Sequence, residues 1–318
     1  LYSVALAAVS FSSCSLEENN PAGFTKENLA TSIEGYETLV NQCYFAMERY
    51  FYGTDSWMSL TEGDSDLWTY QANQSTSYTQ WFWFFAGASP NTTYTNNWWN
   101  GTYDGVGSCN EAIALAGYAP YKTEAERNAK VAEARFLRAY YYFCIFRWYG
   151  PFVIMPEVEV DVDGSIDEMS IPRSSVDECV QYIYNELEKA CNEGLPDWYE
   201  ESTDYGRATI TAARAIQSRL LLYAASPLYN GNTDYANFKD QDGNQLVNQT
   251  YSDKKWQDAA KASKAFIDRY TDRFALYTEN KEDGSIDPYA SYQQLFLTGW
   301  NNEIIWARNN CSFWSFEA

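Results

Sequence analysis

Residues 133–157 read EARFLRAYYYFCIFRWYGPFVIMPE, a long helical run of aromatics and arginines ended by Gly-Pro. It lies within a helix predicted from Thr123 to Trp148, with Glu126 and Lys130 as a favourable i, i+4 pair, and Gly150-Pro151 stops that helix. Tyr140, Tyr141, Tyr142 and Phe143 place part of the aromatic content inside a helical scaffold. Arg135, Arg138 and Arg147 among those rings read as guanidiniums stacked on aromatics or paired with acids, rather than as ligand-binding groups. Residues 152–160 read as extended.

Helical periodicity recurs on both sides. After Thr25, a candidate N-cap, Leu29, Ile33, Tyr36, Val40, Tyr44 and Met47 step by three and four, predicting one helix to about Tyr50. A second runs from about Asn97 to Gly117. Ser175 with Glu178 forms a capping box ahead of Val176, Val180, Ile183 and Leu187. Residues 208–226 make an Ala-rich helix that a neighbour can approach closely, and Trp256, Ala260, Ser263, Ile267 and Tyr270 mark another. Long helices in succession predict a mainly α protein of paired hairpins of the tetratricopeptide kind, with long irregular loops and little β. No clean 34-residue repeat accompanies them.

Composition narrows the chemistry. The chain has 318 residues, with 22 Lys plus Arg against 43 Asp plus Glu, a net charge of −21 that repels polyanions such as nucleic acid. It has no histidine, which excludes Ser/His/Asp and Cys/His catalysis and every His-containing metal site. Aromatics make up 18% of residues, more than a core needs. Seven cysteines, at 14, 43, 109, 144, 179, 191 and 311, form no C-x-x-C, and several read as buried free thiols. DVDGSIDE (161–168) and DQDGNQ (240–245) imitate the start of a calcium loop without its full ligand set, so neither metal nor cofactor is indicated. Five N-x-S/T sequons, at Asn73, Asn91, Asn100, Asn248 and Asn310, are near the number composition alone produces.

At the N-terminus, LYSVALAAVSF (1–11) is too short to span a bilayer. With Ser12, Ser13 and Cys14 it resembles a bacterial lipobox, which makes 1–13 the remnant of a signal peptide, Cys14 the acylated residue and 14–318 the helical domain. SLEENN after it resembles a signal for the outer face of the outer membrane.

Six strings then occur in order: Cys14 with Leu16-Glu17 and Pro21, EARFLRAYYYF (133–143), RWYGPFVIMPE (147–157), IPRSSVDECVQYIYNELEKA (171–190), GRATITAARAIQSRLLLYAASPLYNG (206–231) and NEIIWARN (302–309). From Cys14 onward the chain resembles the SusD/RagB family of outer-membrane nutrient-binding lipoproteins. The resemblance implies a scaffold of four tetratricopeptide-like helix pairs, loops that carry a glycan-binding surface, and a SusC-like TonB-dependent transporter as partner. It also implies that the chain is C-terminally incomplete, because family members continue well beyond NEIIWARN.

The aperiodic stretch from Asp64 to Trp99 matches in position the family's sugar-contacting loops, just before the second helix. A sugar offers an apolar C–H face and a rim of hydroxyls, so its site needs flat rings beside carboxylates and amides. Asp64, Asp66, Trp68, Tyr70, Trp81 and Trp83 supply both kinds, with Trp314 as a further ring. Trp98, Trp99 and Tyr103 instead match a core-packing feature of the family.

The resulting expectation is a non-catalytic glycan-binding lipoprotein on the outer membrane that passes oligosaccharide to the transporter. Two alternatives stand beside it. A glycoside hydrolase needs only two carboxylates, and Asn302-Glu303 resembles a catalytic dipeptide of barrel hydrolases; here, however, the strand-like Ile304, Ile305 and Trp306 follow the Glu instead of leading to it. A helical-repeat protein-binding scaffold explains the helices but not the aromatic, polar loops.

Overall fold

The computed structural model describes residues 25–51, 93–157, 165 and 170–307, with the backbone alone at 46, 48–51 and 93–98. Its main elements are α1 (Lys26–Ala30), α2 (Ile33–Phe51), α3 (Thr93–Leu115), α4 (Glu124–Tyr149), α5 (Val176–Glu193), α6 (Ile210–Ala225), α7 (Asp253–Tyr270), a two-stranded hairpin β1 (Glu279–Asn280) and β2 (Ile286–Asp287), and α8 (Pro288–Leu297). From α2 to α7 each long helix packs on the next, as in tetratricopeptide-like stacks, and α2 also reaches α4. The protein is mainly α. Its hairpin, in register Glu279↔Asp287, is the only sheet among the described residues.

The central helix is α4. Phe136, Leu137, Tyr141, Tyr142, Phe143, Ile145 and Phe146 are all buried, on a helix with neighbours on several sides. Thr123 and Glu126 close a capping box at its start. That corrects the expected Glu126–Lys130 pair: the Glu126 carboxylate accepts the Thr123 backbone N–H at 3.1 Å, while Lys130 turns to Glu133 at 3.2 Å. Gly150, with φ +70°, ends the helix.

Beyond it, Phe152 is fully buried and stacks on Tyr142 at 4.9 Å. Residues 152–156 join no helix or sheet, and two tyrosine hydroxyls take up backbone groups that a partner strand would otherwise bond. Tyr103 donates to the Val153 carbonyl at 2.8 Å and accepts its N–H at 3.0 Å; Tyr142 accepts the Met155 N–H at 2.9 Å.

The first predicted helix is divided. Thr25 caps α1 as expected, accepting the Asn28 N–H at 3.2 Å. The chain then breaks at Thr31-Ser32, where Ser32 Oγ accepts the Gly35 N–H at 3.1 Å and opens α2. Ser175 and Glu178 form the predicted capping box of α5. On α6, Ala212, Ala213, Ala224 and Ala225 are buried, and the close approach they permit is bridged to α7 by Ser218 and Ser263 hydroxyls 2.7 Å apart.

Candidate functional site

Asp64, Asp66, Trp68, Tyr70, Trp81, Trp83 and Trp314 lie outside the described residues, as does Cys14. The described helices on either side of residues 52–92 pack together, α2 ending at Phe51 and α3 beginning at Thr93. Trp99 meets Tyr103 at 5.0 Å and Tyr149 edge-on at 5.2 Å, with the Arg173 guanidinium 5.0 Å from its ring centre. Trp99 and Tyr103 are therefore packing residues, as the sequence indicated. Burial pushes the Tyr103 hydroxyl pKa up, so it stays a neutral donor and acceptor.

Charged groups between the helices are likewise internally committed. Arg138, with a side chain only 1% exposed, bonds Asn110 at 2.7 Å, Glu157 at 2.8 Å and the equally buried Glu186. Arg135 bonds Glu193 at 2.7 Å and Glu186 at 3.2 Å, and Arg147 lies 5.5 Å from the Phe143 ring centre. Burial would raise the Glu186 pKa, but the charge and hydrogen bonds of Arg138, with Lys189 and Arg135, outweigh it and hold the carboxyl below its ordinary value.

Cys43, Cys109, Cys144, Cys179 and Cys191 are free thiols. Burial pushes Cys144 and Cys191 up to about 11 and Cys179 to about 12, leaving these three protonated near neutrality. Among the described residues no group of three or more His, Cys, Asp or Glu could hold a metal. The 240–245 loop satisfies itself: Asp240 accepts the Asp242 and Asn244 N–H groups at 2.9 and 2.8 Å. Residues 161–164 and 166–168 of the other calcium-like segment lie outside the described residues.

Glu303 is a structural carboxylate. Its Oε2 accepts the Tyr277 backbone N–H at 2.9 Å. The strand expected at Ile304, Ile305 and Trp306 is absent, because Ile304 closes a turn onto Asn301 and Trp306 is drawn to the helices. Its ring meets Phe136 and Tyr140 edge-on at 5.1 and 5.0 Å, and its Nε1 donates to the Gly206 carbonyl at 2.9 Å.

Trp306 forms one side of a cleft of about 280 Å³ that the sequence did not reveal. The Tyr205 and Trp300 rings meet at 5.0 Å and 60°, and the Arg273 guanidinium lies 4.6 Å from the Trp198 ring centre. Arg207 is committed to Glu133 at 2.8 Å and Asn41 at 3.2 Å. The available signal was local: Trp198, Tyr205 and Trp300 occur in the Gly-, Asp- and Asn-rich segments GLPDWYEESTDYGR (194–207) and TGWNNE (298–303).

A SusD-like family model described as starch-binding associating with outer membrane matches residues 17–222. The chain belongs to the SusD-like family. A SusD-like protein of Bacteroides ovatus is 31% identical over 157 residues, which are 49% of this chain and 26% of that protein. The solved structure named BT4246 aligns with a TM-score of 0.62 at 28% identity, covering 83% of this chain and 43% of its own. A SusD-like protein of Bacteroides fragilis aligns at 0.56 and 23% identity, covering 87% and 44%. This SusD-like chain thus covers less than half the length of these relatives. Among its described residues, no helix is long and apolar enough to cross a membrane.

Proposed function

We propose that this chain belongs to a non-catalytic glycan-binding lipoprotein, anchored in the outer membrane through Cys14, that captures oligosaccharide at the cell surface and passes it to a SusC-like TonB-dependent transporter. The observation that carries this reading is the match of residues 17–222 to a starch-binding, outer-membrane-associating family. The aromatic and acidic residues of the 64–83 segment support it, since Trp68, Trp81 and Trp83 offer stacking faces and Asp64 and Asp66 offer acceptors for hydroxyls. Lipid attachment at Cys14 supplies the membrane association, which becomes stable with two or more acyl chains. The engagement of Glu303 by a backbone N–H counts against hydrolysis.

The test is a binding screen of the protein against neutral polysaccharides, with reducing-end release measured in parallel. Binding without release is expected, and it should fall sharply in the Trp68/Trp81/Trp83 triple alanine variant. Undiminished binding in that variant removes these tryptophans from the site, and release abolished by Glu303→Gln removes the binding-only reading. Cys14→Ala should move the protein from the membrane fraction to the soluble one.

A further inference from the structure

We propose that the cleft between Trp198, Tyr205, Arg273, Trp300 and Asn302 seats one neutral hexopyranose unit of a glycan, a contact point on the described scaffold made by residues other than those of the 64–83 segment. The inference rests on the glycan-binding reading and deepens it.

Its volume, about 280 Å³, lies at the small end of ligand pockets, which suits one ring rather than a long chain. Trp306 is spent on the core, and Arg273 covers a face of Trp198. The angled, half-buried pair Tyr205 and Trp300 therefore provides the apolar wall that a sugar's C–H face requires.

Most polar groups around the cleft are already engaged. Thr209 Oγ1 accepts the Ala212 N–H, Thr211 donates to the Asp197 carbonyl, and Asn301 bonds the Leu295 and Gly299 carbonyls. Among the described residues, no hydrogen bond or ion pair engages the Arg273 guanidinium, the Asn302 amide or the Tyr205 hydroxyl.

The −21 charge disfavours a polyanion, and the three groups, two of them on exposed side chains, offer an uncharged polar ligand donors and acceptors that water otherwise fills. Vicinal hydroxyls satisfy all three, because guanidinium donates while the amide and the phenol donate and accept. The turn carrying Trp300 and Asn302 is held in place beforehand. Asn301 Oδ1 accepts the Glu303 N–H at 3.0 Å, and the Asn302 carbonyl accepts the Ala275 N–H at 3.1 Å.

The test uses the neutral polysaccharide that the parent chain binds best in the screen, with affinities from titration calorimetry. Trp300→Ala should weaken binding about tenfold, and Arg273→Gln and Asn302→Ala each about fivefold. The latter two positions are exposed, so those variants carry the test if Trp300→Ala misfolds. Parental affinity in both, alongside loss in the Trp68/Trp81/Trp83 variant, overturns the cleft and leaves the glycan-binding reading intact. A fall in melting temperature with parental affinity likewise overturns it, marking the cleft as a packing surface. A parent that binds no polysaccharide overturns both readings.

Discussion

At the scale of single residues, the chain places charge inside the scaffold only where it is answered. Glu186 accepts from Arg138, Arg135 and Lys189, joining α5 to α4, and Arg138 reaches on to Asn110 of α3 and to Glu157. One guanidinium N–H, on Nε, has no partner among the described residues. Removing Arg138 takes from the buried Glu186 its one fully buried partner and leaves Arg135 and Lys189 to answer the charge, so Arg138→Ala should cost about 3 kcal/mol, read as a lower urea midpoint. The pH dependence has a defined sign. The Glu186 pKa is lowered on folding, so its contribution is fully present above its ordinary value of 4.5 and is lost as pH falls through the lower folded value. Glu186→Gln should therefore be less stable than the parent at pH 7, with the gap narrowing below about pH 4.5. A gap that stays constant down to pH 3 would contradict the assignment.

At the scale of elements, caps and glycines set where helices begin and turn. Ser175 accepts the Glu178 N–H at 3.3 Å while Glu178 accepts the Ser175 N–H at 2.8 Å, so Ser175→Ala should cost about 1 kcal/mol in thermal unfolding. Gly150 and Gly231 both have positive φ, but their surroundings differ. A Cβ at Gly150 would meet the movable Tyr229 hydroxyl at 3.2 Å; one at Gly231 would meet the Tyr251 backbone nitrogen at 2.7 Å. Gly231→Ala should therefore lower the melting temperature more than Gly150→Ala. These elements were legible because periodicity and capping are local signals, as at Thr25, Thr123 and Ser175. The break at Thr31-Ser32 was hidden by apolar spacing that continues across it. Ile304 to Trp306 read as a strand from composition, yet Trp306 follows its contacts with Phe136 and Tyr140 instead. The cleft was beyond local reading, because Trp198, Tyr205, Arg273 and Trp300 span about a hundred residues and only the fold unites them.

At the scale of the whole molecule, net charge separates what the protein tolerates from what it binds. A charge of −21 on 318 residues disfavours the compact state through self-repulsion, and many of the ion pairs described on its surface are exposed and individually weak, such as Lys254 with Asp258 and Lys264 with Asp268. Raising salt from about 10 to about 150 mM shortens the Debye length from about 30 to about 8 Å, which screens the repulsion more than it weakens buried pairs such as Arg138 with Glu186. The melting temperature should therefore rise across that range. A neutral glycan bound by stacking and hydrogen bonds should show the same affinity at both salt concentrations, whereas a carboxylated polysaccharide should bind poorly at low salt and gain affinity as the field is screened. Titrating one neutral and one acidic polysaccharide at the two concentrations measures both. Neutral-glycan affinity that falls steeply with salt would mean that charge holds the ligand, which is incompatible with a site whose recognition rests on aromatic faces and uncharged hydroxyl partners.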